Sequence, residues 1–390
     1  MVCFCFIVIG YCSPLHAGDN QWIVETTYNE PGMDLFNPAF SPDGHRMAYV
    51  RQGHGPDGAE AEGMDEKTLD RHIAENAKRE KETRFEEPKV IICSDGFKNG
   101  IEVGIGWNPC FSPDGSRLAF VKQVQPLAGM RTTTETMAGN SIELYDLKTK
   151  RSKIIAAPKK GALTDPFFSG NGNELFYLIS NVLASDEMDS EGIVRVDLGN
   201  GSGTTLFAPQ LKLKFPITLD NCTEDKGDVY AVLDIPLAAN QDTVYQHRYD
   251  LVSLTKDSKT KYTWGEIDGL GMDFASLYHV FPNGQLLVYN KGWKKIDLTD
   301  GKVLDKPKGA LEFKDCSLSP DGKYLIGYDE DGDRETVYVM EVGKIGKTKV
   351  LKLSVGDRVH EIEWSPNSNR VAIVITLSDY RDEIVISKRK

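Results

Sequence analysis

Few residues in this 390-residue chain are spaced for chemistry. The densest carboxylate group is the run Asp329-Glu330-Asp331-Gly332-Asp333-Arg334-Glu335, with Asp329, Asp331, Asp333 and Glu335 at alternate positions. Hard carboxylate oxygens at that spacing suit calcium, but Gly332 is misplaced for an EF-hand loop. An acidic turn is the preferred reading, with calcium as the alternative. His247, His279 and His360 form the second group. They are far apart in the chain, so they share a metal ion only if the fold brings them together. No H-E-x-x-H, G-x-x-x-x-G-K or G-x-S-x-G string occurs. Gly199-Asn200-Gly201-Ser202-Gly203 has the wrong spacing for a nucleophile elbow and reads as a turn. No catalytic, cofactor-binding or metal-binding residue is therefore assigned, no cofactor is expected, and a non-enzymatic role is favoured.

Composition narrows the partners. The chain carries 46 Lys and Arg against 58 Asp and Glu, a formal net charge of −12. DNA, RNA and anionic membrane surfaces all favour a basic face, so they are excluded as main partners. Lys388-Arg389-Lys390 is the one obvious basic cluster and reads as a solvated tail. Residues Met1 to Tyr11 are almost wholly apolar, and Ser13, Pro14, Ala17 and Gly18 follow. The pattern matches a signal-peptide core with a small-residue cleavage zone, although no Lys or Arg precedes it. The run is too short to span a bilayer. Cys12 follows Tyr11, where a lipobox needs a small residue, so lipidation is not favoured. The expectation is a signal over residues 1–17 and one exported domain over 18–390, periplasmic or secreted and monomeric. Cys93, Cys110, Cys222 and Cys316 of that domain form no C-x-x-C pair, which disfavours zinc. They read as small buried hydrophobes.

The elements that would position any site are announced by a repeat. Asn37-Pro38-Ala39-Phe40-Ser41-Pro42-Asp43-Gly44 runs into Met47-Ala48-Tyr49-Val50, and Asn108-Pro109-Cys110-Phe111-Ser112-Pro113-Asp114-Gly115 into Leu118-Ala119-Phe120-Val121. Asp165-Pro166-Phe167-Phe168-Ser169-Gly170-Asn171-Gly172 is a third copy. Shorter copies are Phe281-Pro282-Asn283-Gly284, Ser319-Pro320-Asp321-Gly322 and Trp364-Ser365-Pro366-Asn367. Proline fixes φ, Asp or Asn bonds its own backbone and Gly accepts positive φ, so each copy is a tight hairpin turn between β-branched and aromatic strands. The anchors fall at 41, 112, 169, 281, 319 and 365. Four-stranded propeller blades take about 40–50 residues, so the step from 169 to 281 hides a degenerate copy near Phe215 to Leu233. Seven blades are expected, with six as the runner-up. The last repeat offers only three strands, and Trp22 to Thr27 is expected to supply the fourth and close the ring.

The F-S-P-D-G-x-x-L-A-F pattern resembles the TolB-like, or PD40, β-propeller repeat over nearly the whole chain after the signal. That resemblance implies an all-β propeller and leaves the function open. TolB itself carries an extra N-terminal domain, for which residues before Trp22 leave no room. Related propellers precede the catalytic domain of prolyl-oligopeptidase-like peptidases, but the elbow of that domain is missing here. Oligogalacturonate lyases are similar in size, seven-bladed and use a histidine-rich metal site, yet their motif does not match residue by residue.

Unequal loops join the second and third strands: about Arg51 to Pro88, Gln123 to Asn140, Asn181 to Glu191 and Pro236 to Gln246. All leave the same end of their blades, and such loops on a rigid scaffold are where binding usually resides. The first carries a helix candidate over Asp65 to Phe85, with Glu75–Arg79 and Glu80–Arg84 at i, i+4. The expected function is therefore a scaffold binding a protein or peptide through its loop-rich face. The alternative is a carbohydrate-active enzyme of the oligogalacturonate-lyase type, which would need its histidines clustered.

Overall fold

Each Ser-Pro-Asp-Gly string folds as its local chemistry dictates. In the second copy, Ser112 Oγ donates to Asp114 Oδ1 at 2.6 Å and accepts the Arg117 N–H at 2.9 Å. Asp114 Oδ1 also accepts the Ser116 N–H at 3.0 Å, while Gly115 adopts φ 66°. The Ser112 hydroxyl and the Ser116 N–H hold the Asp114 carboxyl down at about 2. The serine hydroxyls of Ser41, Ser169, Ser319 and Ser365 accept the equivalent backbone N–H five residues on. All five serines are buried.

These turns sit in a computed structural model that describes residues 22–30, 33–53, 87–94, 100–122, 139–158, 162–182, 188–207, 212–213, 218–225, 228–237, 246–254, 260–264, 278–281, 285–289, 293–297, 302–305, 313, 315–331, 334–342, 344, 346–378 and 381–390. Strand β1 is Trp22–Asn29. The first sheet holds β2 (Met33–Phe40), β3 (Met47–Gly53), β4 (Lys89–Cys93) and β5 (Ile101–Ile105). The second holds β6 (Trp107–Phe111), β7 (Arg117–Lys122), β8 (Ser141–Asp146) and β9 (Arg151–Ala156). The third holds β10 (Ala162–Phe168), β11 (Glu174–Val182), β12 (Met188–Asp197) and β13 (Gly203–Phe207), with β14 (Lys212–Leu213) also on β12. The fourth holds β15 (Thr218–Asp225), β16 (Asp228–Leu237), β17 (Gln246–Ser253) and β18 (Thr260–Trp264). The fifth holds β19 (Tyr278–Phe281), β20 (Gln285–Tyr289), β21 (Trp293–Asp297) and β22 (Val303–Asp305). The sixth holds β23 (Asp315–Leu318), β24 (Tyr324–Asp331), β25 (Arg334–Glu341) and β26 (Thr348–Lys352). In the seventh, β27 (Arg358–Trp364), β28 (Arg370–Thr376) and β29 (Asp382–Arg389) are joined by β1, in the order β1-β29-β28-β27.

Every sheet is an antiparallel meander, and the first strands of neighbouring sheets meet at five junctions: β2 with β6, β6 with β10, β10 with β15, β23 with β27, and β27 with β2. The first strands are therefore the inner ones, and the architecture is an all-β propeller. The core lies between sheets. Ala48, Val90 and Ile92 of the first sheet pack on Phe111, Leu118 and Phe120 of the second. Phe176, Leu178 and Ile193 of the third pack on Ala231 and Val252 of the fourth.

The chain ends meet in the seventh sheet. β1 runs antiparallel to β29, from Trp22 opposite Arg389 to Asn29 opposite Glu383. Trp22 packs edge-on against Trp364, with centroids 5.5 Å apart. Glu25 binds Arg370 at 2.7 Å and Lys388 at 3.0 Å, and these cations lower its pKa, Arg370 foremost. No helix occurs among the described residues. The helix expected over Asp65 to Phe85 lies outside them. The signal expected over residues 1–17 also lies outside them.

Candidate binding site on the inner strands

Alternation on the inner strands decides which side chains reach the centre. On β6, Trp107, Pro109 and Phe111 are buried between sheets, while Asn108 and Cys110 stay partly exposed. On β2, Pro38 and Phe40 are buried, and Asn37 and Ala39 are not fully covered. β10 repeats this with Asp165 and Phe167, and β27 with Glu361 and Glu363. These positions lie four and two residues before the turn serine in each copy.

These four inner strands are kinked there. Register slips occur between Phe36 and Ala39, Trp107 and Cys110, Thr164 and Phe167, and Val359 and Glu361. Asn37, Asn108 and Asp165 hold φ of 48°, 47° and 51°, a left-handed conformation that Asn and Asp tolerate better than other side chains. β-Bulges of this kind re-aim a side chain. The result links neighbouring sheets: Asn108 Nδ2 donates to Asp165 Oδ1 at 3.0 Å, and the Asn37 N–H donates to Glu361 Oε2 at 2.9 Å.

The electrostatics follow from burial. Desolvation pushes the Glu361 carboxyl up to about 7, opposed by the Asn37 N–H. Burial raises the Cys110 thiol to about 11, and the negative charge of Glu363 adds to that rise. Cys110 is in the second sheet and Glu363 in the seventh, on either side of the first sheet. The inner strands present carboxylates and amides at these positions, with no Lys or Arg among them. The arrangement can accept hydrogen bonds and attract cations.

No protein-family model matches the sequence. No curated protein matches it either. The fold does have solved counterparts. The oligogalacturonate lyase in complex with manganese superposes with a TM-score of 0.57 at 12% identity, over 94% of this chain and 96% of that one. The chain is a β-propeller. A second similar structure is the β-propeller domain of the trilobed protease from Pyrococcus furiosus, with a TM-score of 0.48 at 15% identity, over 93% of this chain and 96% of that one. At such identities the likeness is one of fold.

In this propeller the histidines singled out from the sequence fall on three different sheets. His247, His279 and His360 fall on β17, β19 and β27, in the fourth, fifth and seventh sheets. His360 is exposed, and the other two side chains lie outside the described residues. Among the described residues no group of three or more His, Cys, Asp and Glu side chains is arranged to hold a metal ion. The described residues of the acidic run pair as the two arms of a hairpin. Glu330 pairs with Glu335 and Asp331 with Arg334, so Asp329 and Glu335 fall on opposite faces of the sheet. Asp329 binds Lys347 at 2.9 Å. Glu335 is buried, accepts the Val359 N–H at 2.6 Å and fastens the sixth sheet to β27. Asp333 lies outside the described residues. Gly199 to Gly203 is a turn held by Asp197, whose Oδ1 accepts the Gly199 N–H at 2.7 Å.

Cys93 and Cys316 are buried free thiols, and Cys110 is a partly exposed one. The inner acidic residues escaped the sequence reading, because Glu361-Ile362-Glu363 lacks the Asn-Pro signature of the earlier copies. The usable signal was position: counting back four and two residues from each turn serine finds Asn37, Asn108, Asp165, Glu361 and Glu363.

Proposed function

We propose that this propeller is an exported binding scaffold for a protein or peptide, of the TolB-like kind, with its seven sheets acting as seven blades of one ring. The observation that carries the reading is the chemistry of the inner strands. Asn37, Asn108, Asp165, Glu361 and Glu363 supply acceptors and negative charge where the sheets converge. A ligand rich in hydrogen-bond donors or positive charge fits that surface. An acidic oligosaccharide does not, because its carboxylates would face carboxylates without compensating cations among these residues. The similarity to oligogalacturonate lyase supports the scaffold's shape and leaves its chemistry open. The apolar segment Met1 to Tyr11 and the overall charge of −12 support export and argue against nucleic acid.

The test is affinity capture with the full chain, recovered from the periplasmic or secreted fraction of its own cells. A stoichiometric protein partner is expected, and its yield should fall when Gly55 to Glu86 is deleted from the loop-rich face. Retention of the full chain in the cytosol, or turnover of acidic oligosaccharides with added manganese, would defeat the proposal.

A further inference from the structure

At the seam between the last and first sheets, a buried amide oxygen lies beside a desolvated carboxylate. Asn37 Oδ1 is buried and has no hydrogen-bond partner. Beside it, Glu361 uses Oε2 to accept the Asn37 N–H at 2.9 Å, leaving its carboxylate next to the unmatched amide oxygen. The two side chains are on adjoining inner strands, β27 and β2, and are tied together by that one bond. Buried acceptors are nearly always paired in native proteins, so the unmatched Asn37 Oδ1 points to a donor the chain itself does not supply.

The sign of the missing donor follows from its surroundings. Glu363 lies two residues along the same strand and adds a second carboxylate to it. Carboxylates concentrated around an unmatched acceptor favour a donor that is itself positive. A calcium-like ion would want six or more oxygen ligands, and a transition metal three or four His, Cys or carboxylate ligands; the described residues assemble no such set. An ammonium or guanidinium group brings several N–H donors and needs only a few acceptors.

We propose that Asn37 Oδ1, with the Glu361 carboxylate beside it, receives a cationic N–H donor, the ammonium or guanidinium group of a partner's basic side chain. This rests on the scaffold reading and says which chemistry the partner presents.

The test uses the full chain and fluorescein-labelled hexalysine or hexaarginine, with binding followed by anisotropy at pH 8 and low salt. The two peptides separate ammonium from guanidinium recognition. Glu361→Gln should weaken binding at least tenfold. Glu341→Gln, which removes an exposed carboxylate paired with Lys344 on β25, should change it less than twofold. Asn37→Asp keeps the shape and tolerates the positive φ while adding charge, so it should tighten binding. That gain keeps the test valid if Glu361→Gln fails to fold. Equal losses in the two Glu variants, no response to Asn37→Asp, or no peptide binding by the parent chain would each overturn the inference. Unchanged capture of the protein partner by Glu361→Gln would also overturn it while leaving the scaffold reading intact. Specific peptide binding through Glu361 without any captured partner would support the site and sink the scaffold reading.

Discussion

Glu361 concentrates the tension in this structure. Its carboxyl is desolvated, yet it accepts a backbone N–H from the neighbouring sheet, and burial wins, raising its pKa to about 7. In the unfolded chain the same group titrates near 4.5. The folded state therefore binds a proton more readily between these values. The associated stability is complete below the unfolded value and is lost as pH rises through the folded one. Thermal unfolding should accordingly show a higher melting temperature at pH 5 than at pH 8, with roughly 2 kcal/mol attributable to this residue. Glu361→Gln, whose amide oxygen can still accept the Asn37 N–H, should flatten that part of the profile and raise stability at pH 8. An unchanged pH profile in the variant would show that the carboxyl titrates normally.

At the scale of the element, the hairpin turn explains why so much of the fold could be read without a structure. Ser, Pro, Asp and Gly act within a few residues of one another, so Ser41 to Gly44 and Ser112 to Gly115 carry their geometry in their sequence. Spacing then exposed the degenerate fourth copy, whose strands β15 and β16 carry no such turn. What joins one sheet to the next was not legible, because it depends on partners tens to hundreds of residues apart. Asp382 Oδ2 accepts the Leu35 N–H at 3.1 Å across the seam, and Arg117 Nη2 donates to the Gly172 carbonyl at 2.6 Å. The inner-strand bulges were hidden for the same reason. Asn-Pro reads as a turn preface, and only the slipped register reveals that it directs a side chain to the centre. Ser112→Ala should test the turn account. It deletes a buried hydroxyl that bonds both Asp114 and the Arg117 N–H. The expected loss is about 1–2 kcal/mol in urea denaturation. Ser152→Ala, on the exposed edge strand β9, should cost almost nothing. Equal effects would mean that the turn network contributes little.

For the whole molecule, continuity depends on pairing the two ends of the chain in one sheet. The buried Trp22 against Trp364, the Glu25 pairs with Arg370 and Lys388, and the β1–β29 ladder act together there. Without β1, the outer edge of β29 would be unpaired and Val385 would lose its cover. A chain starting at Glu30 should melt roughly 5 °C or more below one starting at Gln21, as followed by circular dichroism. Coincident melting curves would show that the closing strand is dispensable.

The same closure brings Glu361 beside Asn37 and gives the centre its acidic character, so the functional reading and the architecture stand on one seam. Calorimetric titration of the full chain with hexalysine, and separately with an oligogalacturonate plus manganese, tests that reading most directly. The account predicts saturable binding of the basic peptide that weakens as salt is raised, and no heat of binding from the acidic sugar. Tight binding of the oligogalacturonate with no response to the peptide would contradict it.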